Sequence, residues 1–491
     1  MTPLSCVSVI RAATLAFLIG YLLLGLSIFG DYGISWDEFP TREYGLMNVE
    51  HQISSQHALD SLRAVKGPMY ERFGPAFEIV LVGTEKALGL HSLRSVFLVR
   101  HLINFLTFFI GVVLFLRLCW RRFAPGIALL ATISLVASPQ LFAHAFFNVK
   151  DISFLTVFVG TMLTLDHFLG RPGWRTVVVH GLTSGLLIGV RVLGFFPVML
   201  TTGAALLRRP SGRTVGLLAA YGAIVVIVLP FVWPVLRIDP VGIVRDALLG
   251  ATSNPYRATN LFQGAQLQAN ALPWSYVPVW MAITSPLVIT ISAIGGIVLA
   301  LARLVRRPRA HLAGEEQRDA LVLAWFLLPV VGCMVLRPIL YDGWRHLYFV
   351  YPAFVYLAAI TMEWIATALT SRVTSMRPPV THAALSAIYL ACLGPPVAFM
   401  LANHPLEHLY FNRLAGRDMA EIKQRFELDY WGLSYRQALE HIFATDPRPL
   451  VRVRVANYPG FLNSTMLSPA DRRRLVYVHE GEPADYFVGN Y

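Results

Sequence analysis

The sequence predicts an all-α polytopic membrane protein with about eleven transmembrane helices, juxtamembrane helices on one face and a small C-terminal α/β domain. Of its 491 residues, 55% are hydrophobic and only 14% are charged, whereas soluble domains carry about 25% charged residues. Apolar runs of about 20 residues, the length that crosses a bilayer, recur along residues 1–402. Arginines collect in the short segments between alternate runs, as membrane topology requires.

Eleven segments of residues 1–402 are candidate spans, and these residues make up the predicted transmembrane domain. No small-residue cleavage site follows the first segment, so we expect a retained helix rather than a removed signal. The fifth and sixth segments are short for a membrane span. The predicted spans are 10–30, 96–117, 125–143, 152–169, 176–190, 193–207, 214–235, 279–302, 320–337, 347–369 and 380–402.

The arginines between the spans predict the orientation, because cytoplasmic loops carry an excess of basic residues. Clusters such as Arg121–Arg122 and the arginines of 303–309 occupy every second connection. This pattern predicts a multi-pass protein of the inner (plasma) membrane with a cytoplasmic N-terminus. The segments 31–95, 236–278 and 403–491 then lie on the extracytoplasmic side.

Two of these extracytoplasmic segments have a predicted structure. Within 31–95, charged residues make a spanning helix over 74–91 costly, so we expect juxtamembrane helices that lie on the membrane surface. The C-terminal segment 403–491 has a soluble composition and is predicted to form a small α/β domain. Its predicted elements are a helix at 434–445, strands at 450–456 and 474–480, and an apolar stretch at 484–488.

The charge balance does not indicate nucleic-acid binding, although the formal net charge is +12. Four of the 41 basic residues are lysines, and most of the 37 arginines lie in short clusters between apolar runs. The four cysteines have neither disulfide nor zinc-site spacing. The sequence contains no Walker phosphate-binding loop and no Rossmann glycine pattern, which argues against a nucleotide-driven machine.

An acidic pair, Asp37–Glu38, directly follows the first span, in the sequence Gly33-Ile-Ser-Trp-Asp-Glu-Phe39. Two neighbouring acids in a partly desolvated site can have different pKa values, which leaves one of them as a base near neutral pH. The alternative is an ordinary polar junction in which Trp36 anchors the chain at the membrane surface.

A second charged pair, Lys150–Asp151, lies in the short loop between the third and fourth spans, on the same predicted face. Asp151 can simply cap the fourth helix, which is a sound structural role. Acids at the ends of two different spans can instead converge on one site. Helix capping explains neither Asp37 nor Glu38, so the two loops together favour a shared site.

Two further segments supply cations. Arg191, in Gly189-Val-Arg-Val-Leu-Gly194, needs a partner at membrane depth, either a phosphate or an acid from a neighbouring loop. Arg345 can hold phosphate oxygens through two hydrogen bonds, and His346 can donate to them or bind a metal. Both residues lie in Tyr341-Asp-Gly-Trp-Arg-His-Leu-Tyr348, whose aromatic residues would equally suit an interfacial anchor.

Together these features resemble the GT-C glycosyltransferases. The resemblance rests on the arrangement of the spans, the acidic pair after the first, Asn148-Val-Lys-Asp151 after the third and the Arg-His pair before a late span. Within that superfamily the sequence is most similar to bacterial enzymes that use polyprenyl-phosphate sugars, among them the aminoarabinose transferase of lipid A and the protein O-mannosyltransferases. The tail sequence Leu428-Asp-Tyr-Trp-Gly432 also looks like a stretch shared by bacterial members.

The resemblance implies inverting transfer of a sugar from a polyprenyl-phosphate donor to a hydroxyl acceptor on the extracytoplasmic side. It implies Asp37 as the general base, Glu38 as its close alternate, and Asp151 as a second acid that orients the acceptor or binds a metal. The predicted site for the donor phosphate consists of Lys150, Arg191, Arg345 and His346.

The sequence specifies neither a cofactor nor the class of acceptor. The acids and His346 have groups that can bind a divalent metal ion, but no residue spacing requires one. The acceptor is a lipid, a glycan or a protein, and membrane lipids are the other expected partners.

Two other functions fit the same sequence. A transporter or flippase of a lipid-linked saccharide would move the same molecule without bond chemistry, although a secondary transporter would be expected to show internal symmetry. A scaffold would use the C-terminal domain to recruit envelope partners. Deleting residues 403–491 would abolish the function of a scaffold, whereas we expect an enzyme to lose only its choice of acceptor.

Overall fold

A computed structural model gives the protein's structure over residues 3–50, 55–66, 73–208, 210–253, 259–307, 313–372 and 378–490. Helices fill most of the chain up to Asn403. In chain order they are α1 (Pro3–Ile28), α2 (Glu38–Val49), α3 (Gln56–Lys66), α4 (Ala76–Ala87), α5 (Leu93–Trp120), α6 (Pro125–Val136), α7 (Pro139–Phe147), α8 (Val149–Gly170), α9 (Trp174–Val190), α10 (Phe195–Arg208), α11 (Gly212–Val232), α12 (Pro240–Ser253), α13 (Tyr276–Thr284), α14 (Leu287–Arg306), α15 (Gly314–Leu336), α16 (Tyr351–Arg372), α17 (Pro378–Cys392) and α18 (Gly394–Asn403).

The multi-pass architecture predicted from the sequence is confirmed. Within the described ranges, eight segments are long and apolar enough to cross a membrane, and they correspond to α1, α5, α8, α11, α14, α15, α16 and α17–α18. Helices α6 and α7 meet at 64° and make a ninth span if they are counted together, while α9 and α10 are shorter apolar helices. The count of eleven spans stays a prediction. The span expected at 279–302 begins later, because the chain breaks at Ser285–Pro286 between α13 and α14.

Helix α8 is the central helix of the bundle. Of its apolar stretch, 72% is buried inside the protein, the highest share among the candidate spans of the described chain. It packs against α5 on one side and α9 on the other, as expected for a helix that is apolar on every face. The position of its first turn, residues 149–151, is therefore fixed by neighbouring helices.

Helix α9 packs closely on α11 through glycines four residues apart. A Cβ added to Gly181 or Gly185 would lie 2.7 Å from a side chain of α11. Small residues at this spacing let helix backbones approach each other in a membrane. The carbonyl of Gly189, near the end of α9, in turn lies so close to Gly74 that a Cβ there would clash with it. These contacts fix the position of Arg191, the residue after α9.

Three juxtamembrane helices, α2, α3 and α4, follow the first span, and α4 lies within the predicted interfacial stretch 74–91. Helix α4 packs on α2, α5, α8 and α9. The fully buried guanidinium of Arg100 in α5 donates to Glu78 at 2.6 Å and to Glu85 at 2.9 Å. The acids that make 74–91 a costly span are thus paired with a cation from the bundle.

The tail contains short helices and strands, as predicted, and its longest helix has the predicted bounds 434–445. Its strands pair in a small parallel sheet. A separate hairpin of β1 (Thr259–Phe262) and β2 (Ala265–Gln268) precedes α13. In the sheet of the tail, the central strand β3 (Val451–Val455) lies between β4 (Leu475–Tyr477) and β5 (Tyr486–Val488), with Val453 paired to Tyr477 and to Tyr486. The tail elements are α19 (Met419–Arg425), α20 (Ser434–Thr445), β3 (Val451–Val455), α21 (Tyr458–Asn463), α22 (Pro469–Arg474), β4 (Leu475–Tyr477) and β5 (Tyr486–Val488).

The tail is bonded directly to the helical bundle. The N–H of Asn412 donates to the carbonyl of Ile283 at 2.8 Å, and its side chain donates to the carbonyl of Ala282. These carbonyls belong to the last turn of α13, where backbone carbonyls have no N–H donor within the helix. The side chain of Gln140 in α7 donates to the carbonyl of His408 at 2.6 Å. The predicted boundary at residue 403 stays a prediction, and the two parts share an extensive polar contact.

Candidate active site

The loop between α1 and α2, residues 33–37, is held in place by the tail. The side chain of Asn463 in α21 accepts a hydrogen bond from the N–H of Ile34 at 2.8 Å and donates one to its carbonyl at 3.0 Å. The N–H of Trp36 donates to the carbonyl of Trp431 at 3.3 Å. These three bonds fix the backbone of the loop.

Asp37 occupies the N-cap position of α2 but does not cap that helix with its side chain. Its Oδ2 instead accepts a hydrogen bond from Nη1 of Arg345 at 2.9 Å. The Asp37 side chain is 33% exposed, whereas that of Arg345 is only 2% exposed. An aspartate at this position normally stabilises the start of the helix with its side chain. The Asp37 carboxylate instead binds an arginine from another element, which indicates a role in a site.

Glu38 does not share the surroundings of Asp37. Its side chain is 1% exposed, with Oε1 2.9 Å from Nε2 of His101 and Oε2 accepting the N–H of Ser35 at 2.6 Å. Successive residues at a helix start project in different directions, and this one projects toward α5. The predicted role of Glu38 as an alternate base does not fit this geometry, and the two acids do not form one desolvated pair.

At the start of α8 the capping residue is Asn148, not Asp151. The Asn148 Oδ1 accepts the N–H of Asp151 at 3.1 Å, and its Nδ2 donates to the Asp151 carboxylate at 2.8 Å. The structural alternative of an Asp151 cap is therefore wrong. Asp151 lies 2.7 Å from Nη2 of Arg191 and 3.7 Å from Nη1 of Arg345. Of the two partners expected for Arg191, the structure supplies an acid.

The turn before Arg345 has a left-handed backbone, with φ of 56° at Asp342 and 62° at Gly343. This conformation is strained for aspartate and is common at functional sites. The Arg345 guanidinium lies 4.6 Å from the ring centre of Trp431 and 4.8 Å from that of Tyr341. Aromatic faces attract a cation electrostatically, so these rings help to hold Arg345 in place.

Two buried acids that sequence reasoning missed, Asp342 and Glu427, lie behind Arg345. Burial raises the pKa of Asp342 well above its usual range and the pKa of Glu427 to about 7. Both line a small cavity of about 20 Å³, enough for about one water molecule. Oδ2 of Asp342 also lies 3.3 Å from Nε of Arg345, so three carboxylates, those of Asp37, Asp151 and Asp342, face this guanidinium.

Four predicted site residues thus form one continuous row of charges, in the order Arg191, Asp151, Arg345 and Asp37. They come from four separate stretches of the chain. Their contact distances run from 2.7 to 3.7 Å. The structure therefore brings together the acidic and basic motifs that the sequence suggested would converge.

A cavity of about 190 Å³ adjoins this row of charges, and we call it the main cavity. Asp37 and Lys150 are the two predicted site residues that line it, and aromatic rings form much of the remaining wall. The lining residues in the described ranges are Trp36, Asp37, Pro40, Thr41, Tyr44, Phe73, Gly74, Phe77, Glu78, Val149, Lys150, Ser153, Val190, Tyr341 and Tyr430.

Lys150 differs from the two arginines of the row. Its Nζ lies 3.9 Å from the ring centre of Phe73. No carboxylate of the described residues lies within 4.0 Å of this ammonium, whereas Arg191 and Arg345 each face an acid. Lys150 is therefore the cation at the main cavity whose charge is available to an anion.

His346 follows Arg345 but does not line the main cavity among the described residues. Its ring packs edge-on against Tyr341 at 4.8 Å, and its Nδ1 is buried. The described residues contain no group of three His, Cys, Asp or Glu side chains placed to hold a metal ion. Asp37 and Asp151 are also engaged by arginines, so the observed donor set does not fit a divalent metal here.

The sequence reasoning missed several residues of the main cavity. Glu78 was used only to place an interfacial helix, and nothing marked it as part of a site. Tyr430 lies in the quoted tail sequence 428–432, and its aromatic composition was the one available signal. Phe73 and Tyr44 belong to the segment 31–95, which is predicted to be extracytoplasmic and in which sequence spacing gives no cavity position.

Comparison with known proteins identifies the fold but no family. No family profile and no curated protein matches the sequence. Among solved structures, the chain is similar to ArnT from Cupriavidus metallidurans bound to undecaprenyl phosphate, with 13% identity and a TM-score of 0.52. That match covers 96% of this chain and 86% of ArnT. ArnT in the apo state gives a TM-score of 0.51.

The chain is also similar to the oligosaccharyltransferase of Archaeoglobus fulgidus in the apo form, with 11% identity and a TM-score of 0.50. The match covers 93% of this chain, which spans 64% of the length of the archaeal protein. ArnT and this oligosaccharyltransferase have the GT-C architecture. The protein is therefore a multi-pass membrane protein with the GT-C fold.

Proposed function

We propose that the protein is a membrane glycosyltransferase that moves one sugar from a polyprenyl-phosphate donor to a hydroxyl acceptor. The observation that carries this proposal is that a carboxylate, Asp37, lines the same cavity as Lys150, a cation with no carboxylate within 4.0 Å among the described residues. Transfer from a phosphate needs a base to take the proton of the acceptor and a cation to meet the charge of the leaving group. The GT-C fold supports this assignment.

Asp37 is the proposed general base. Arg345 holds its Oδ2, and no donor in the described residues binds its Oδ1. The acceptor hydroxyl gives its proton to this carboxylate as its oxygen attacks the anomeric carbon. A positioned base contributes about 10²–10⁴-fold to the rate. Attack from the face opposite the phosphate inverts the configuration at that carbon.

The leaving group is polyprenyl phosphate, whose oxygen keeps the electron pair of the broken bond. Lys150 is the proposed direct ligand of this phosphate, and Arg191 and Arg345 add positive charge from behind it. Fixed positive charge stabilises the negative charge that grows on the phosphate.

The position of the site suits a lipid-linked donor. Val149, Val190 and Phe77 form an apolar side of the main cavity, and we propose that the polyprenyl chain leaves there into the bilayer. We place this end on the extracytoplasmic side of the inner membrane, because the arginine clusters occupy the opposite end. The acceptor is a lipid, a glycan or a protein hydroxyl, and no nucleic acid takes part.

The test separates an enzyme from a flippase of lipid-linked saccharides. Purified protein is incubated in detergent with radiolabelled polyprenyl-phosphate pentoses and hexoses and a crude envelope fraction as the source of acceptor. We expect free polyprenyl phosphate to appear together with a labelled product. Binding of the donor with no release of polyprenyl phosphate, under conditions in which the protein stays folded, would favour the flippase.

A further inference from the structure

Glu78 in α4 is a buried acid of the main cavity that the proposed chemistry does not use. It lines the cavity and is 7% exposed. Its Oε2 accepts a hydrogen bond from Nη2 of Arg100 at 2.6 Å. Its Oε1 is buried and accepts no hydrogen bond from the described residues. A buried acceptor without a donor is uncommon in native proteins.

Glu85, about two helical turns further along α4, provides a direct comparison. Its Oε1 accepts from Arg100 at 2.9 Å and its Oε2 accepts from Arg42 at 2.9 Å. Both oxygens of Glu85 are therefore engaged, and Glu85 does not line the main cavity among the described residues. The two acids share one arginine, and they differ in that Oε1 of Glu78, a residue of the cavity wall, has no donor among the described residues.

The other residues that line the main cavity indicate which kind of ligand could bind Oε1 of Glu78. Rings of Trp36, Tyr341 and Tyr430 line the same cavity, and aromatic surfaces with a few placed polar groups are typical of ligand sites. A volume of about 190 Å³ is below the roughly 300–1,000 Å³ of sites for drug-sized ligands. This space suits a single sugar ring. An ionised carboxylate accepts hydrogen bonds only, so its partner on that ring is a hydroxyl or another donor.

We infer that Glu78 is a specificity residue that accepts a hydrogen bond from one ring hydroxyl of the donor sugar. This inference rests on the proposed function and adds the group that distinguishes one donor sugar from another. Arg100 fixes the orientation of Glu78 through Oε2. Oε1 is left to bind the sugar while Lys150 binds the phosphate and Asp37 binds the acceptor.

The experiment combines the variants Glu78→Gln and Glu85→Gln with modified donors. Release of polyprenyl phosphate is measured for wild type and both variants with short-chain polyprenyl-phosphate sugars and their singly deoxygenated analogues. A charge-assisted hydrogen bond contributes roughly 1.5–3 kcal/mol, so we expect kcat/KM of Glu78→Gln to fall about 10- to 150-fold on the preferred sugar. The fall should disappear with one deoxy analogue, the one that lacks the hydroxyl bound by Glu78.

Glu85→Gln is the matched control, because it removes the same charge from the same arginine outside the cavity. It should keep the wild-type preference among the analogues. An equal fall for Glu78→Gln on every deoxy donor, or the same pattern for Glu85→Gln, would overturn the inference. A wild-type protein that cleaves none of the sugars would contradict the proposed function itself, which is a different result from an active enzyme that does not distinguish the analogues.

Discussion

The two ends of the bundle each hold a buried cluster of arginines and acids, and the clusters differ in how completely their charges are paired. The far-end cluster lies where α5, α8, α15 and α16 meet. There, Asp319 accepts hydrogen bonds from Arg122 at 3.0 Å, Arg303 at 3.3 Å and Tyr356 at 3.1 Å. Asp166, 15 residues along α8 from Asp151 and so about 22 Å away, is bound by Arg121 and Arg318.

The far-end cluster is balanced. Each of its arginines faces an acid, and each acid faces an arginine. Its four cations are Arg121, Arg122, Arg303 and Arg318, and its four acids are Asp166, Glu315, Asp319 and Glu363.

The site end differs in two ways. No carboxylate of the described residues lies within 4.0 Å of its Lys150, and Asp37 remains 33% exposed at a cavity. A fully paired buried cluster contributes to packing and register, whereas unpaired charge at a cavity indicates a functional site. The comparison shows that an arginine–aspartate motif at the end of a span indicates a functional site only where one of its charges remains unpaired.

The largest expected effect is the loss of transfer activity when the proposed base at the site end is removed. Asp37→Asn keeps the shape of the side chain and removes the base, so the release of polyprenyl phosphate should fall by about 10²–10⁴-fold or more. The protein should insert and elute from a sizing column like wild type. A variant that retains wild-type turnover would contradict the assignment of Asp37.

A smaller loss is expected for the unpaired cation. Lys150→Met keeps the length of the side chain and removes its charge, and a hydrogen bond to a charged group contributes about 1.5–3 kcal/mol. We therefore expect kcat/KM for the donor to fall about 10- to 150-fold, measured at several donor concentrations. Lys86→Met removes an exposed lysine that pairs with Glu50 and should leave the donor kinetics unchanged. Equal losses in both variants would argue against a phosphate at Lys150.

Removing the hydrogen bonds by which the tail holds the loop before Asp37 should reduce the rate less than removing the charges of the site. Asn463→Ala removes two hydrogen bonds that hold the loop before Asp37, and small misplacements of catalytic groups cost up to about 100-fold in rate. We expect kcat to fall about tenfold with little change in the KM for the donor. Asn457→Ala, whose side chain binds Asn490 rather than the loop, serves as the control.

The smallest effect on transfer is expected at the far end. Asp319→Asn leaves buried arginines without a full partner, which costs about 3–5 kcal/mol of stability. The midpoint of thermal unfolding in detergent should fall, while kcat measured well below that midpoint stays at the wild-type value. Asp60→Asn, at an exposed pair with Arg63, should change neither quantity. A loss of kcat in Asp319→Asn without a loss of stability would remove the distinction between the two ends.

Much of the fold could be predicted from the sequence, because apolar runs and arginine clusters report directly on a bilayer. The convergence of Asp37, Asp151, Arg191 and Arg345 could also be anticipated, since each lies at a span end. The orientation of Glu38 could not be predicted from the sequence, because it depends on a contact with His101 in another helix. The orientation of Glu78 depends equally on Arg100.

The tail shows the same limit. Its helix and strands follow from periodicity, but its contact with the loop before Asp37 joins residues more than 400 positions apart. The expectation that an enzyme would lose only acceptor choice without residues 403–491 does not fit this structure. Tyr430 lines the main cavity and Trp431 packs on Arg345, so we expect removal of the tail to abolish transfer.

The most direct measurement is a cryo-EM structure with a polyprenyl-phosphonate sugar that cannot be cleaved. The account predicts the phosphonate within about 2.7–3.2 Å of the Lys150 Nζ, with the anomeric carbon facing the Asp37 carboxylate. A phosphonate bound away from Lys150, or a sugar that Asp37 cannot approach, would contradict the central claim that this cavity carries out the transfer.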